Sequence, residues 1–226
     1  MMTNEVRLIA MTNWLANKDN GMIEIPHAED LIGYCARVSN PKNQENFDTS
    51  EKLLRYCIRE NHWSVFEMVH VVMEIKTTRD IARQILRHRS FSFQEFSQRY
   101  AEVEFDDFEY RECRLQDTKN RQNSIETDDE KLQEDWVDLQ ANVVWVAAEN
   151  YKRALELGIA KEQARALLPE GLTPSTLYMA GSLRSWIHYC DLRRGNGTQK
   201  EHREVADQCW KLLLGEFNFL KEHDDV

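Results

Sequence analysis

Two kinds of periodicity in this 226-residue chain predict an α+β fold. Valine and isoleucine crowd the stretch from Val65 to Lys76, which is the composition of a mostly buried strand. Three later stretches, about Asp129–Leu157, Gly181–Leu192 and Gln199–His223, repeat apolar residues at spacings of three and four and read as helices. With 42% hydrophobic residues the chain can bury a sizeable core, and it reads as one domain over residues 1–226.

Taken in order, Val6–Thr12 is a short strand and His27–Ser39 a helix with Leu31, Ile32, Cys35, Ala36 and Val38 inward. Asn40 and Pro41 end that helix, and a second runs from about Ser50 to Asn61. The Val65–Lys76 strand feeds a third helix, whose start Thr77 or Thr78 can cap and whose stripe is Ile81, Ala82, Ile85 and Leu86. Ser90–Gln98 is polar with Phe91, Phe93 and Phe96 interleaved, and reads as a loop pinned by its aromatics. Ala101–Leu115 is read as strand or hairpin, and the polar segment 116–130 as a loop or insertion. Gly158 stops the long helix through Leu132, Trp136, Leu139, Val143, Val146, Ala147, Tyr151 and Ala154, a stripe suited to core or to a subunit interface. Pro169 closes a short helix from Lys161, a strand follows Pro174, and residues 193–198 loop into the last helix.

Charge singles out one region. The chain carries a formal net charge of −10, yet Arg79, Arg83, Arg87, Arg89 and Arg99 gather against only Asp80 and Glu95. An acidic surface repels polyanions as a whole, so a small phosphorylated ligand fits this local patch better than a duplex. On a helix, Gln84, Arg87 and His88 share a face, and an arginine fork there can hold a phosphate through two parallel hydrogen bonds. Residue types alone lead no further than phosphate binding, so a non-catalytic nucleotide- or nucleic-acid-binding module is an alternative.

The remaining composition narrows the class. Five scattered cysteines without Cys-x-x-Cys spacing disfavour a disulfide framework or a zinc knuckle. A reducing cytoplasm is the expected compartment. Neither a signal-peptide core nor an apolar run of membrane-spanning length occurs, so no membrane partner is expected, and no metal-ligand spacing is seen.

Arg87-His88-Arg89, seven residues, Ser97 and then Arg99 resemble the signature of the flavin-dependent thymidylate synthases. Gln84 three before Arg87 and Glu95 two before Ser97 agree with it, as does His62-Trp63-Ser64-Val65-Phe66-Glu67, with Val65 where the family has proline. Ala164–Pro169, Ser182–Ser185 and Leu192-Arg193 extend the resemblance over most of the chain, although asparagine is common in the family at the positions of Ser182 and His188. The resemblance implies a mostly antiparallel sheet flanked by long helices in a single catalytic domain. It implies reductive methylation of dUMP to dTMP, with FAD as cofactor and NADPH and methylenetetrahydrofolate as co-substrates. It assigns dUMP to Gln84, Arg87, Glu95, Ser97, Gln98, Arg99, Arg165 and Arg193, and FAD to His62, Ser64, Arg87, His88, Arg89, Glu95, Ser182, Arg184 and His188. It further implies a homotetramer whose active sites borrow residues from more than one subunit. Arg193 takes the catalytic role, stabilising an anionic pyrimidine where no cysteine is placed to attack C6. A sister flavin enzyme adding another one-carbon group would share every phosphate contact and stays open as a second alternative.

Overall fold

The computed structural model describes residues 4–15, 23–105, 108–195 and 197–223; Asp106, Asp107 and Asn196, within two segments read above, lie outside them. Four strands form an antiparallel sheet in the order β1 (Glu5–Met11), β2 (His70–Thr78), β6 (Pro174–Ser182), β3 (Ser92–Glu95). β2 and β6 pair along their whole length, from His70 opposite Ser182 to Thr78 opposite Pro174. Alternate residues Val71, Met73 and Ile75 of β2 and Leu177 and Met179 of β6 are fully buried. They share one core with Trp186 and Ile187 of α6 (Leu183–Arg193) and Val205, Cys209 and Trp210 of α7 (Lys200–Glu216). The α+β expectation and its antiparallel sheet are therefore met.

The remaining helices are α1 (Ala28–Ala36), α2 (Ser50–Arg59), α3 (Arg79–Ile85), α4 (Glu130–Glu156) and α5 (Lys161–Ala164). At the start of α4 the Asp129 side chain accepts the Leu132 N–H at 3.0 Å, and beyond its end Gly158 takes φ +80°, which a side chain would oppose. Among the described residues no helix is long and apolar enough to cross a membrane.

Four local readings are corrected. Ser92–Glu95 is a strand, not a loop, because Phe91 and Phe93 alternate with polar neighbours and the edge of β6 offers pairing. Consequently α3 ends at Ile85, and Arg87, His88 and Arg89 sit in the turn between helix and strand. Phe91 fixes that turn: it is buried against Trp186, with ring centroids 4.9 Å apart, and a Cβ on Gly181 would come within 2.5 Å of its ring. Segment 116–130 contributes β5 (Ser124–Glu126), paired with β4 (Arg114–Gln116). The β2 strand begins at His70, and Trp63–Glu67 is a 3-10 turn, since Asn61 at φ +59° ends α2 with paired bonds from Asn61 N–H to Ile58 and His62 N–H to Cys57. Finally, the last helix stops at Glu216, and a 3-10 turn covers Asn218–Leu220.

Candidate functional site

The predicted residues fall into three groups within one chain. The first lies where the turn after α3 meets the end of α6. There Arg193 Nε donates to His88 Nε2 at 2.9 Å, so the imidazole must present a bare nitrogen and carry its proton on Nδ1. Burial first, then the positive charges of Arg193 and Arg87, lower the His88 pKa to about 4. The ring therefore stays neutral near neutral pH and leaves the guanidinium charge uncompensated. Its edge packs on Tyr189, with centroids 4.9 Å apart. Arg87 and Arg89 on either side are exposed.

Gln84, one turn back on α3, belongs to the same corner. Its Nε2 donates to Gln199 Oε1 at 2.7 Å, and its Oε1 lies 3.2 Å from Nδ1 of His202. His202 is fully buried, with its other nitrogen 3.2 Å from the Tyr189 hydroxyl, and burial, Arg193 and His88 lower its pKa to about 3. His202, Tyr189 and Gln199 are missing from the sequence-based assignment. The available signal was a histidine three and seven residues before Val205 and Cys209, on the buried stripe of the last helix.

The second group surrounds the chain after β3. A cavity of about 410 Å³ is lined by Arg79, Arg83, Gln98, Glu162, Arg165 and Thr173. Gln98 is buried and its amide nitrogen finds no partner among the described residues. Arg99 meets Glu162 at 3.5 Å, while Arg165 Nε donates to the Glu162 carbonyl at 3.2 Å. Glu95 is held by Arg79 at 3.5 Å and accepts from Ser175 Oγ at 2.8 Å. Ser97 is half-buried, and among the described residues its hydroxyl accepts only the Arg99 N–H, at 3.4 Å.

The third group lies along the N-terminal half of α6. His188 packs on Trp63 with centroids 4.4 Å apart, and Arg184 meets Glu67 at 2.6 Å, both against the Trp63–Glu67 turn. Burial, then Arg184, lower the His188 pKa. His62 and Ser64 are exposed beside them. The Ser182 hydroxyl caps α6 by accepting the Ser185 N–H at 3.3 Å. Nine residues separate Arg184 from Arg193, about 13 Å along a helix, so this face and the Arg193 corner do not merge within one chain.

One feature links the first two groups. Arg87, Arg89, Arg165 and Arg193 form no ion pair among the described residues, although the chain as a whole is strongly acidic. A larger groove of about 660 Å³, between α4 and the β4–β5 hairpin, holds none of the predicted residues. No group of three or more His, Cys, Asp or Glu side chains is arranged to hold a metal among the described residues.

A family model described as thymidylate synthase complementing protein matches residues 22–217. Over 190 residues the chain is 53% identical to a probable flavin-dependent thymidylate synthase of Paramecium bursaria Chlorella virus 1, covering 84% of this chain and 87% of that one. The chain belongs to the flavin-dependent thymidylate synthase family. A family member from a Synechocystis strain is 54% identical over 190 residues, covering 84% and 86%. Among solved structures, a UMP/dUMP methylase, PolB from Streptomyces cacaoi, bound with 5-Br dUMP, superposes with a TM-score of 0.80 at 25% identity, over 98% of this chain and 94% of that one.

The flavin implied by membership suits residues present here. A diphosphate needs unspent cationic and hydroxyl donors and an isoalloxazine needs aromatic neighbours; exposed Arg87, Arg89, Ser64 and His62 and the Trp63–His188 pair supply both kinds.

Proposed function

We propose that this chain, as a single catalytic domain, methylates dUMP to dTMP, with methylenetetrahydrofolate as one-carbon donor and NADPH as reductant. The observation that carries this reading is that Arg87, Arg89, Arg165 and Arg193, which stand around the predicted nucleotide contacts, form no ion pair among the described residues, and that one of them is pinned by a neutral histidine. Bound FAD supplies the hydride chemistry. Gln84, Arg87, Glu95, Ser97, Gln98, Arg99, Arg165 and Arg193 bind the nucleotide, and His62, Ser64, Arg87, His88, Arg89, Glu95, Ser182, Arg184 and His188 face the flavin, with Ser182 acting through its cap of α6.

Carbon C5 of uracil must become nucleophilic before it accepts a one-carbon unit. A cysteine adding to C6 is one route, but burial pushes the Cys190 and Cys209 thiols well above their ordinary range, burial also raises Cys35 and Cys57, and Cys113 lines the separate groove beside α4. Arg193 offers the other route. Its permanent charge, undiminished by a carboxylate, stabilises negative charge on the pyrimidine edge, and the His88 contact fixes the plane of the fork.

The residues assigned to the flavin are divided, with His62, Ser64, Ser182, Arg184 and His188 toward the start of α6 and Arg87, His88 and Arg89 beside Arg193, and a second copy whose flavin face meets this corner would complete the site. Leu139 on α4 is 61% exposed, and Val143 and Val146, four and seven residues on, continue that apolar surface. We assign this face to the subunit contacts of a homotetramer, and light scattering of the flavin-loaded protein should give four chain masses. A monomer with bound FAD and full turnover would overturn the assembly.

The activity itself is tested by spectrum and product. The purified protein should be yellow, bleach with NADPH, and regain colour with methylenetetrahydrofolate and dUMP as dTMP appears. A colourless protein that takes up no added FAD, or a product other than dTMP, would reject the reading.

A further inference from the structure

Gln84 sits in a chain of hydrogen bonds whose direction a single carboxylate decides. Glu201 lies 3.4 Å from Arg111 and also pairs with Arg114; burial would raise its pKa, but its own backbone N–H and these arginines outweigh burial and lower it. An ionised carboxylate only accepts. The Gln199 atom at 3.0 Å from it must then be the amide nitrogen, which turns Gln199 Oε1 toward Gln84. That oxygen requires Gln84 to present its nitrogen, which leaves Gln84 Oε1 facing His202 Nδ1 at 3.2 Å. Nδ1 therefore carries the proton of the neutral ring, and His202 Nε2 accepts from the Tyr189 hydroxyl at 3.2 Å. Each member is fixed by the next, from Tyr189 through His202, Gln84 and Gln199 to Glu201.

We infer that His202 is a positioning residue, which holds the Gln84 amide in the one orientation that directs its remaining N–H to the bound nucleotide. This rests on the reading of Gln84 as a dUMP contact. Without the His202 donor, the Gln84 amide keeps its bond to Gln199 but loses the one at its oxygen, and the side chain gains rotational freedom. His202 has no exposure to solvent, so it acts only through its neighbours.

Two measurements test the inference. In nitrogen-15 histidine spectra of the flavin-loaded protein, His202 should be the neutral Nδ1–H tautomer near neutral pH; the Nε2–H tautomer would reverse the chain and overturn the inference whatever the protein binds. In calorimetric titration with dUMP, His202→Leu should bind about five- to tenfold more weakly, the loss of one hydrogen bond, with FAD content unchanged. His202→Asn, whose amide nitrogen can stand where Nδ1 stood, should recover most of that loss. Equal affinity in wild type and His202→Leu, or equal weakening in the leucine and asparagine variants, would reduce His202 to a packing residue. Failure of the wild type to bind dUMP would count against the functional reading, and the tautomer would still decide the orientation of the chain.

Discussion

The two ends of α6 are built on different terms. At its C-terminal end Arg193 bonds His88 at 2.9 Å and Gln84 meets His202 at 3.2 Å, in surroundings buried enough to keep both imidazoles neutral. At its N-terminal end Arg184 and Glu67 form an ion pair with 42% and 45% of their side chains exposed, and among the described residues His62 and Ser64 have no partner side chain beyond a ring contact of His62 with Tyr56. The first end is pre-organised by this chain alone. The second offers solvent-exposed donors, so its order must come from what binds there. Side-chain freedom is already lost at the Arg193 corner, and a charge presented there stabilises a transition state without reorganising.

The comparison breaks most sharply at Arg193. As a cation at the end of α6 it favours the helix dipole by a few tenths to about 1 kcal/mol, and lysine would keep that. Lysine has no planar fork, so it cannot hold His88 and a pyrimidine edge together. Arg193→Lys should fold, bind FAD and be reduced by NADPH, yet lose about a hundredfold in dUMP affinity and single-turnover flavin oxidation, equivalent to about 2.7 kcal/mol. Unchanged values would return Arg193 to a helix-end cation and leave the activation step without a residue.

A smaller effect is expected at Ser97. Its hydroxyl accepts a single long bond from the Arg99 N–H, and none of its hydrogen bonds is to a base. Ser97→Ala should weaken dUMP binding about tenfold, as the loss of one hydrogen bond to a charged phosphate would, while turnover at saturating dUMP persists. Abolished turnover with normal affinity would instead make Ser97 a nucleophile.

Much of this contrast was legible in the residues. Arg184 and His188 four apart, and the apolar stripe ending at Gly158, are helix-period facts, and both elements form as the spacing predicts. What could not be read was set by distant partners. Arg87 and His88 leave the helical pattern because Phe91 is drawn into the slot over Gly181, a contact spanning about ninety residues of sequence. His202 stayed hidden for a related reason: its partners Gln84 and Tyr189 reach it from α3 and α6, and no local spacing encodes that meeting. The polar run Ser92–Glu95 concealed a strand, because pairing with β6 outweighed weak local preference.

The buried corner should also be the more sensitive to acid. His88 and His202 have folded pKa values of about 4 and about 3 against an ordinary 6.5. As pH falls below 6.5 the unfolded chain takes up protons that the folded one refuses, so the stability present above 6.5 is progressively lost down to those folded values. His202→Leu has no ring to protonate. Its stability deficit relative to wild type, from urea midpoints, should therefore shrink between about pH 6.5 and about pH 4. A deficit constant across that range would mean that His202 titrates alike in both states.

The smallest change in stability is expected at the open end. An exposed ion pair such as Arg184–Glu67 contributes about 0–1 kcal/mol, because water screens it and two long side chains must be held still. Arg184→Ala should therefore shift the thermal midpoint of the flavin-free protein by no more than a few degrees. Flavin retention is a different matter, since the same substitution removes a cation from the face with Trp63 and His188, and the ratio of flavin to protein absorbance after gel filtration should fall. The reverse pattern, a large loss of stability with full flavin retention, would show that Arg184 holds the Trp63–Glu67 turn in place and that the flavin is gripped elsewhere. That outcome would erase the distinction between the two ends of α6, because both would then be structural before anything binds.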